Sequence, residues 1–306
     1  MSTTPEPARP RSDRFARLTQ LPLRPVGSLA DGKGAVAPIV QIFRHREMLD
    51  LLIRRDLKSR FKDSSLGFVW TLIRPLTQLT IYYVVMGQFL GAARGIDDFA
   101  IYVFAGLTIY TLLSEIVLGG VASVIANTGL VKKIYVPREV FPLAAVGAAL
   151  FTFAIQLVVL IAATAIAGAF PVTTDVLYAI PSILIIVVYG TAFALLLSAV
   201  NVYLRDTQYL TEVIMMFLMW VSPIVYTWTM ARDIMGSGLL LDIYTSNPIT
   251  LAVLGFQRAF WTAGGAEHYP SDLLLRSGIA MLVGLVLLYT FHRVFRRLQG
   301  NFAQAL

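Results

Sequence analysis

Cysteine is missing from this 306-residue sequence, and histidine occurs only three times, at His45, His268 and His292. Without a thiol the chain can form no disulfide, no cysteine-bound metal site and no cysteine nucleophile. The three histidines are scattered along the chain and do not make a metal cluster. The sequence therefore argues against a metalloenzyme or a thiol-dependent enzyme.

Nucleotide-binding and catalytic motifs are missing as well. Residues 27–34, GSLADGKG, have the G-x-x-x-x-G-K spacing of a phosphate-binding loop. However, Gly34 stands where magnesium binding needs Ser or Thr, and no apolar strand precedes the loop. There is also no catalytic triad, no carboxylate pair and no H-E-x-x-H motif. We therefore predict that this chain is not an enzyme and holds no metal or cofactor.

Charged residues are scarce. They make up 14% of the chain, whereas 57% of the residues are hydrophobic and the mean hydropathy is +0.71. A soluble domain of this size needs far fewer apolar residues, so the composition indicates a multi-pass membrane protein. The N-terminus lacks the apolar core of a signal peptide. We predict that residues 1–44 form a disordered basic tail on the cytosolic side.

Long apolar runs, by contrast, are abundant. A helix needs roughly 20 apolar residues to cross a bilayer, and backbone groups cannot be left unpaired in lipid. We therefore predict an all-α membrane protein whose transmembrane domain, residues 68–300, has six spans: 69–91, 99–125, 141–169, 176–200, 208–228 and 273–292. With both termini in the cytosol, including the end at 301–306, 21 of the 25 lysines and arginines lie on the cytosolic side, as the positive-inside rule requires. The net charge of +7 then favours anionic lipid headgroups over nucleic acid.

A charged segment precedes the first span. In residues 48–63, MLDLLIRRDLKSRFKD, Leu49, Ile53, Leu57 and Phe61 follow one another at i+4 spacing. This pattern is typical of a helix that lies in the membrane plane on the cytosolic side, and we predict such an interface helix within residues 45–67. The alternative is a solvated helix docked on another protein. The charged residues of this segment include Arg54, Arg55, Asp56, Lys58 and Arg60.

Two predicted cytosolic loops carry more than the positive charges of a membrane anchor. NTGLVKKIYVPREVFP, residues 127–142, adds two prolines and the stretch IYVP to its charges, which indicates either a short ordered docking element or a plain anchor. NVYLRDTQ, residues 201–208, is either a second docking point or a turn. The candidate residues in the two loops are Lys132, Lys133, Tyr135, Pro137, Arg138, Glu139, Arg205 and Asp206.

On the opposite side, NPITLAVLGFQRAFW is apolar but too short to cross. We predict a re-entrant or interfacial helix that begins after Asn247 and Pro248. Glu115 lies well inside the second span, where a charge is costly, so it is either functional or hydrogen-bonded to a neighbouring helix.

Aromatic residues cluster near several span ends. They suit either a lipid belt and helix packing or a glycan pathway, because an aromatic ring offers sugars an apolar face with a polar edge. Both interpretations remain open for the candidate channel residues Tyr82, Tyr83, Tyr110, Trp220 and Tyr226.

The order of these features resembles the permease subunits of ABC-2-type ABC exporters, especially those that export polysaccharide, O-antigen and teichoic acid. The resemblance rests on LLIRRDLKSRFKDSSLGFVWTLIRPL at 51–76, LVKKIYVPREVFPLA at 130–144 and NVYLRDTQYL at 201–210, together with SPIVYT and the later NPIT followed by Arg258. It covers about residues 45–300.

The resemblance implies a homodimer that recruits two copies of a separate ATP-binding subunit, which holds the ATP and magnesium. It implies that the 127–142 loop couples to this ATPase, that residues 248–261 close an outer exit near Asn247, Pro248 and Arg258, and that re-entrant outer-leaflet helices precede the last span. The expected function is export of a lipid-linked envelope glycan across the bacterial inner membrane. The alternatives are a lipid or drug exporter of the same family, or an ATP-independent glycan-lipid flippase.

Overall fold

The computed structural model describes residues 46–61, 69–89, 91, 96–133, 137–302 and 306, and within these ranges the chain forms helices and no strand. The predicted tail, residues 1–44, lies outside the described residues. In chain order the α-helices are α1 (Arg46–Phe61), α2 (Trp70–Ile81), α3 (Phe99–Ala126), α4 (Thr128–Lys133), α5 (Val140–Ile166), α6 (Ala179–Tyr203), α7 (Thr207–Val221), α8 (Trp228–Met235), α9 (Leu239–Ser246), α10 (Pro248–Phe260) and α11 (Leu273–Leu298).

Four helical segments of the described chain are long and apolar enough to cross a membrane: Phe99–Ala126, Val140–Ile166, Thr174–Tyr203 and Leu273–Asn301. A fifth is possible if α9 and α10, which meet at 72°, form one bent span. The all-helical membrane fold is thus confirmed, whereas the count of six spans stays a prediction.

The other two predicted spans are less regular than the sequence suggested. The first consists of α2, which contains Pro75, and a π-helix at Tyr82–Phe89. The fifth was predicted to reach residue 228, but α7 ends at Val221. Pro223 has no N–H group and disfavours helical geometry at Ser222, so the helix stops there.

Helix α3 lies at the centre of the bundle, packed against α5 and α6, and α6 packs against α11. Small residues make this approach possible. A Cβ atom on Gly120 of α3 would lie 2.4 Å from the Cβ atom of Ala194 on α6. The side chain of Asn201 also donates to the carbonyl of Val121, 3.0 Å away. This close contact fixes α3 and α6 as the frame on which the other helices pack.

Two hydrophobic clusters follow from this packing. The larger one joins most of α3, α6 and α10. The smaller one lies where α3 ends and α5 begins, and it contains Leu52, Val124, Phe141, Phe295 and Phe302. We name the two ends of the bundle by residues: the Phe302 end holds the smaller cluster, and the Arg258 end lies around the contact of Arg258 with Asp175.

Candidate functional site

The predicted interface helix is α1, and it packs along α5. The sequence predicted one apolar stripe, but the most buried residue is Leu52, which is 5% exposed, while Leu49, Ile53 and Leu57 are half-buried. Ile53 fills the space over Gly147, where a Cβ atom would come within 2.4 Å of its Cδ1. Packing on α5 therefore turns the helix so that Leu52, which lies outside the predicted stripe, points most directly inward.

The charged residues of α1 divide into exposed and engaged groups. Arg54 forms an exposed ion pair with Asp50 (2.8 Å), and Lys58 is exposed as well. Arg55 contacts Asp56 at 2.8 Å and also donates to Asn127 Oδ1 at 2.6 Å. The side chain of Arg60 lies outside the described part.

The bond from Arg55 to Asn127 connects α1 to the first candidate docking loop, residues 127–142. Asn127 is buried and ends α3, and its amide donates to the Ser123 carbonyl at 2.8 Å. The loop then forms α4, in which Val131 is buried and Lys132 is exposed. A short helix thus follows α3, whereas residues 134–136, which include Tyr135 and suggested the ordered docking element, and the side chain of Lys133 lie outside the described residues.

The turn at Pro137–Glu139 is held by the C-terminal part of the chain. The guanidinium of Arg138 lies 5.5 Å from the ring centre of Phe302. Glu139 is buried, accepts a hydrogen bond from Gln299 at 3.2 Å and lies 3.8 Å from His292 Nε2. Buried carboxylates need such polar partners.

The second candidate docking loop, residues 201–208, differs because its central residues are exposed to solvent. Leu204, Arg205 and Asp206 are all exposed between α6 and α7. Tyr203 just before them donates to the carbonyl of Leu298 at 2.7 Å. The structure thus places both candidate docking loops at the Phe302 end.

The five candidate channel aromatics do not share one surface of the single chain. Tyr83 and Trp220 are exposed, and Tyr82 is partly buried. Tyr110 is buried in the larger cluster, and its hydroxyl donates to the Met215 carbonyl. Tyr226 bonds the Val221 carbonyl at 2.8 Å and thereby closes the end of α7. In the single chain Tyr110 and Tyr226 therefore serve in packing, whichever of the two interpretations holds for the exposed rings.

An apolar cavity of about 370 Å³ lies between α3, α6, α7 and the turn before α10. Its few polar side chains bond within the protein: Thr211 donates to the Thr207 carbonyl at 2.6 Å, and Asn247 accepts from Ile249 N at 3.0 Å. The wall is therefore suited to hydrocarbon and not to sugar hydroxyls.

Asn247, Pro248 and Arg258 all belong to α10, the predicted gate helix. Asn247 is its N-cap and Pro248 its first residue, as this pair of residues predicts. At the other end of the helix, Arg258 Nε donates to Asp175 Oδ1 at 3.0 Å, and its guanidinium lies 4.2 Å from the ring centre of Tyr178.

Tyr269 completes the surroundings of Arg258, with its ring centre 5.7 Å from the guanidinium. Burial raises the pKa of the Tyr269 phenol, an effect that Arg258 partly opposes. The ring therefore stays neutral at physiological pH and offers the guanidinium its electron-rich face. Arg258 is thus enclosed by one carboxylate and two rings.

Sequence reasoning missed Arg276 in the first turn of α11. It contacts Asp272 at 2.7 Å, Ser246 at 2.9 Å and Asp242 at 2.9 Å, and so connects α11 to α9. The available signal was an arginine four residues after an aspartate at the start of a predicted span. Glu115 is half-buried in α3.

Comparison with known proteins agrees with the resemblance to ABC-2 permeases. A family model described as ABC-2 type transporter matches residues 48–261. The O-antigen export system permease protein RfbA of Myxococcus xanthus is 25% identical over 266 residues, which cover 87% of this chain and 98% of that protein. The protein of the same name from Klebsiella pneumoniae is 26% identical over 261 residues, covering 85% and 95%.

Proposed function

Since this chain belongs to the ABC-2 type transporter family, we propose that it is the transmembrane subunit of an ATP-driven exporter of a lipid-linked envelope polysaccharide. We infer the substrate class from the alignment with two O-antigen export permeases, which covers at least 85% of this chain. In this proposal the protein lies in the bacterial inner membrane with both termini in the cytosol. The Phe302 end then faces the cytosol, and the Arg258 end faces outward.

The proposed complex contains two copies of this chain and two copies of a separate ATP-binding subunit, which supplies ATP and magnesium. The Phe302 end suits contact with a protein partner because it exposes both charged and apolar side chains, namely Lys132, Leu204, Arg205 and Asp206. The absence of a Ser or Thr after the GK pair of residues 27–34 supports a separate ATPase.

The proposed mechanism begins with ATP-driven closure of the partner subunits. This movement passes through α4 and the Leu204–Asp206 loop into α3 and α6, and it separates the two permeases enough to admit the glycan. Exposed rings such as Tyr83 and Trp220 suit a moving chain, because stacking contacts are weak and tolerate many sugars. The helix α10 and Arg258 would close the outer exit.

A lipid or drug exporter of the same family is the second candidate. The apolar cavity between α3, α6 and α7 favours it, since such a wall accepts hydrocarbon. An ATP-independent flippase is the third possibility, and a gene for an ATPase with a phosphate-binding loop beside the gene for this chain would argue against it.

The proposed function is tested by depleting the chain from its host. We expect lipid-linked glycan to accumulate inside the cells, because synthesis continues while export stops. Glycan on the cell surface and on the inner membrane is measured separately, and restoration by the intact gene is the control. Unchanged export in a strain without a second permease would contradict the proposal. ATPase activity of the purified complex that responds to small amphiphiles but not to glycan lipid would favour the second candidate.

Charge reversal in the first docking loop should uncouple the transporter. Changing Lys132 and Lys133 to Glu replaces two positive charges at the Phe302 end by two negative ones, and like charges across an interface weaken association. We expect export to fall by about tenfold or more, while membrane insertion stays normal. Co-purification of the ATPase and glycan export are measured together. Reversal of Arg232, which is exposed on α8 outside both docking loops, serves as the control and should leave export unchanged. Normal export by the double variant would refute the docking assignment.

A further inference from the structure

The short C-terminal segment Gln299–Phe302 lies against both docking loops. Phe302 is fully buried, although it lies only four residues from the end of the sequence. Its ring packs edge-on against Phe295, 5.7 Å away, and against Tyr203, 6.1 Å away. The guanidinium of Arg138 covers it at 5.5 Å. One ring therefore contacts Arg138 in the first docking loop and Tyr203, the last residue of α6, in the second.

A hydrogen bond lies next to the contact that Phe302 makes with each loop. On the first loop, Glu139 accepts from Gln299 at 3.2 Å, next to the contact of Arg138 with Phe302. On the second, the hydroxyl of Tyr203 donates to the carbonyl of Leu298 at 2.7 Å. Each loop thus makes two contacts with the C-terminal segment. One is with the ring of Phe302, and the other is a hydrogen bond to Gln299 or Leu298.

The two loops join different helices, and Val131 of the first and Val202 of the second both belong to the smaller cluster that surrounds Phe302. The first follows α3 and leads into α5, and the second connects α6 to α7. Exposed connecting segments with few buried contacts open and shift independently of the core. A single buried ring shared by both loops makes them move together, because displacing either loop uncovers the same apolar surface.

We propose that Phe302 is a positioning residue that joins the two docking loops into one rigid surface for the ATP-binding partner. This inference rests on the proposed function, since it concerns the same partner. It assigns a role in coupling to the end of α11 and the residues after it, which the sequence indicated only as a cytosolic end. The surface that the partner meets then includes three parts of the chain: α4 with the Pro137–Glu139 turn, the Leu204–Asp206 loop and the C-terminal segment.

The proposal is tested first by a distance measurement that does not depend on substrate. The chain has no cysteine, so Lys132→Cys and Arg205→Cys allow spin labels to be placed on the two loops, at positions that are exposed. Mixing with an excess of the unlabelled chain ensures that the measured pairs lie within one chain. In Phe302→Ala we expect the distribution of label distances to widen, while Asn301→Ala, at the exposed neighbouring position, should leave it unchanged.

The second measurement is the amount of glycan exported for each ATP hydrolysed, in the reconstituted complex without labels. A coupling residue of this kind should change that ratio by about fivefold or more in Phe302→Ala, and Phe302→Leu, which keeps apolar volume, should restore most of it. If Phe302→Ala does not fold, Phe302→Leu and Arg138→Ala are compared instead, and both should widen the distances to a smaller degree.

Equal distance distributions in the Phe302 variants and the unaltered chain would overturn the inference. A distribution that widens without any change in the export ratio would also overturn it, because the ring would then be only structural. Failure of the unaltered complex to export glycan would count against the proposed function and leave the distance result valid.

Discussion

Replacing Gly120 with alanine is expected to destabilise the protein by about 1–3 kcal/mol, the usual cost of overpacking a tight interface. The added Cβ would lie 2.4 Å from the Cβ and 2.9 Å from the Cα of Ala194. Because one of these atoms belongs to the backbone, no rotamer change can relieve the clash, and α3 and α6 must move apart. Small residues at such crossings are typical of membrane helices, which gain stability from close backbone approach.

The intrinsic preference of alanine for helices opposes this effect but is smaller. It contributes up to about 1 kcal/mol relative to glycine in a helix interior. Gly119→Ala is the matched control, because its Cβ would lie 3.4 Å from the Cβ of Ala145, which is nearly an ordinary contact. The control should therefore be neutral or stabilising. Thermal unfolding in detergent compares the two variants.

The consequences of Gly120→Ala should extend to both ends of the bundle. Helix α3 contributes Val124 to the smaller cluster, and the hydroxyl of its Tyr102 bonds the carbonyl of Tyr226 at 2.8 Å towards the Arg258 end. Export should thus fall with stability. If Gly119→Ala and Gly120→Ala unfolded at the same temperature, the close approach of α3 to α6 would be wrong.

The helical membrane fold could be predicted because apolar length is a local property of the sequence. The predicted 99–125 span differs from α3, Phe99–Ala126, only at its end. Irregular segments were harder, since hydropathy does not report hydrogen bonding. The run at 69–91 is mostly apolar, yet it passes from an α-helix into a π-helix at Tyr82. The predicted span at 208–228 likewise continues past Pro223, because hydropathy alone does not show that the helix ends at Val221.

Within the candidate site, residue types could be predicted but their partners could not. Arg55 contacts Asn127, and Arg258 contacts Asp175, across 72 and 83 positions of sequence. Periodicity within one helix contains no information about such pairs. Leu52 illustrates the same limit, because α5, not the period of α1, decides which side of α1 is most buried. Phe302 could have been noticed only as a large apolar residue next to the C-terminus.

Replacing Arg258 with alanine is expected to have the second large effect, at the opposite end of the bundle. The change removes the ion pair with Asp175 (3.0 Å) and the contacts with the rings of Tyr178 and Tyr269. The carboxylate is partly exposed, so the ion pair should contribute less than about 1 kcal/mol, and the ring contacts about 0.5–2 kcal/mol. The protein should lose about 0.5–3 kcal/mol of stability in total.

A comparison of Arg258→Lys with Arg258→Ala tests how much the two rings contribute to stability. Lysine keeps the charge but lacks the planar guanidinium that stacks on Tyr178, so Arg258→Lys should restore only a minor part of the loss. Arg232 is the matched control, because it is an exposed arginine that pairs with its neighbour Asp233 at 3.4 Å. Arg232→Ala should remain close to the unaltered chain in both unfolding temperature and export.

A double-mutant cycle of Arg258→Ala with Asp175→Ala isolates the ion pair from the ring contacts. We expect a coupling below about 1 kcal/mol, so that most of the loss in Arg258→Ala persists when Asp175 is already alanine. Since α10 is the proposed outer gate, export should fall in Arg258→Ala more than in Asp175→Ala. A coupling as large as the whole effect of Arg258→Ala would show that the carboxylate, and not the two rings, holds this end of α10.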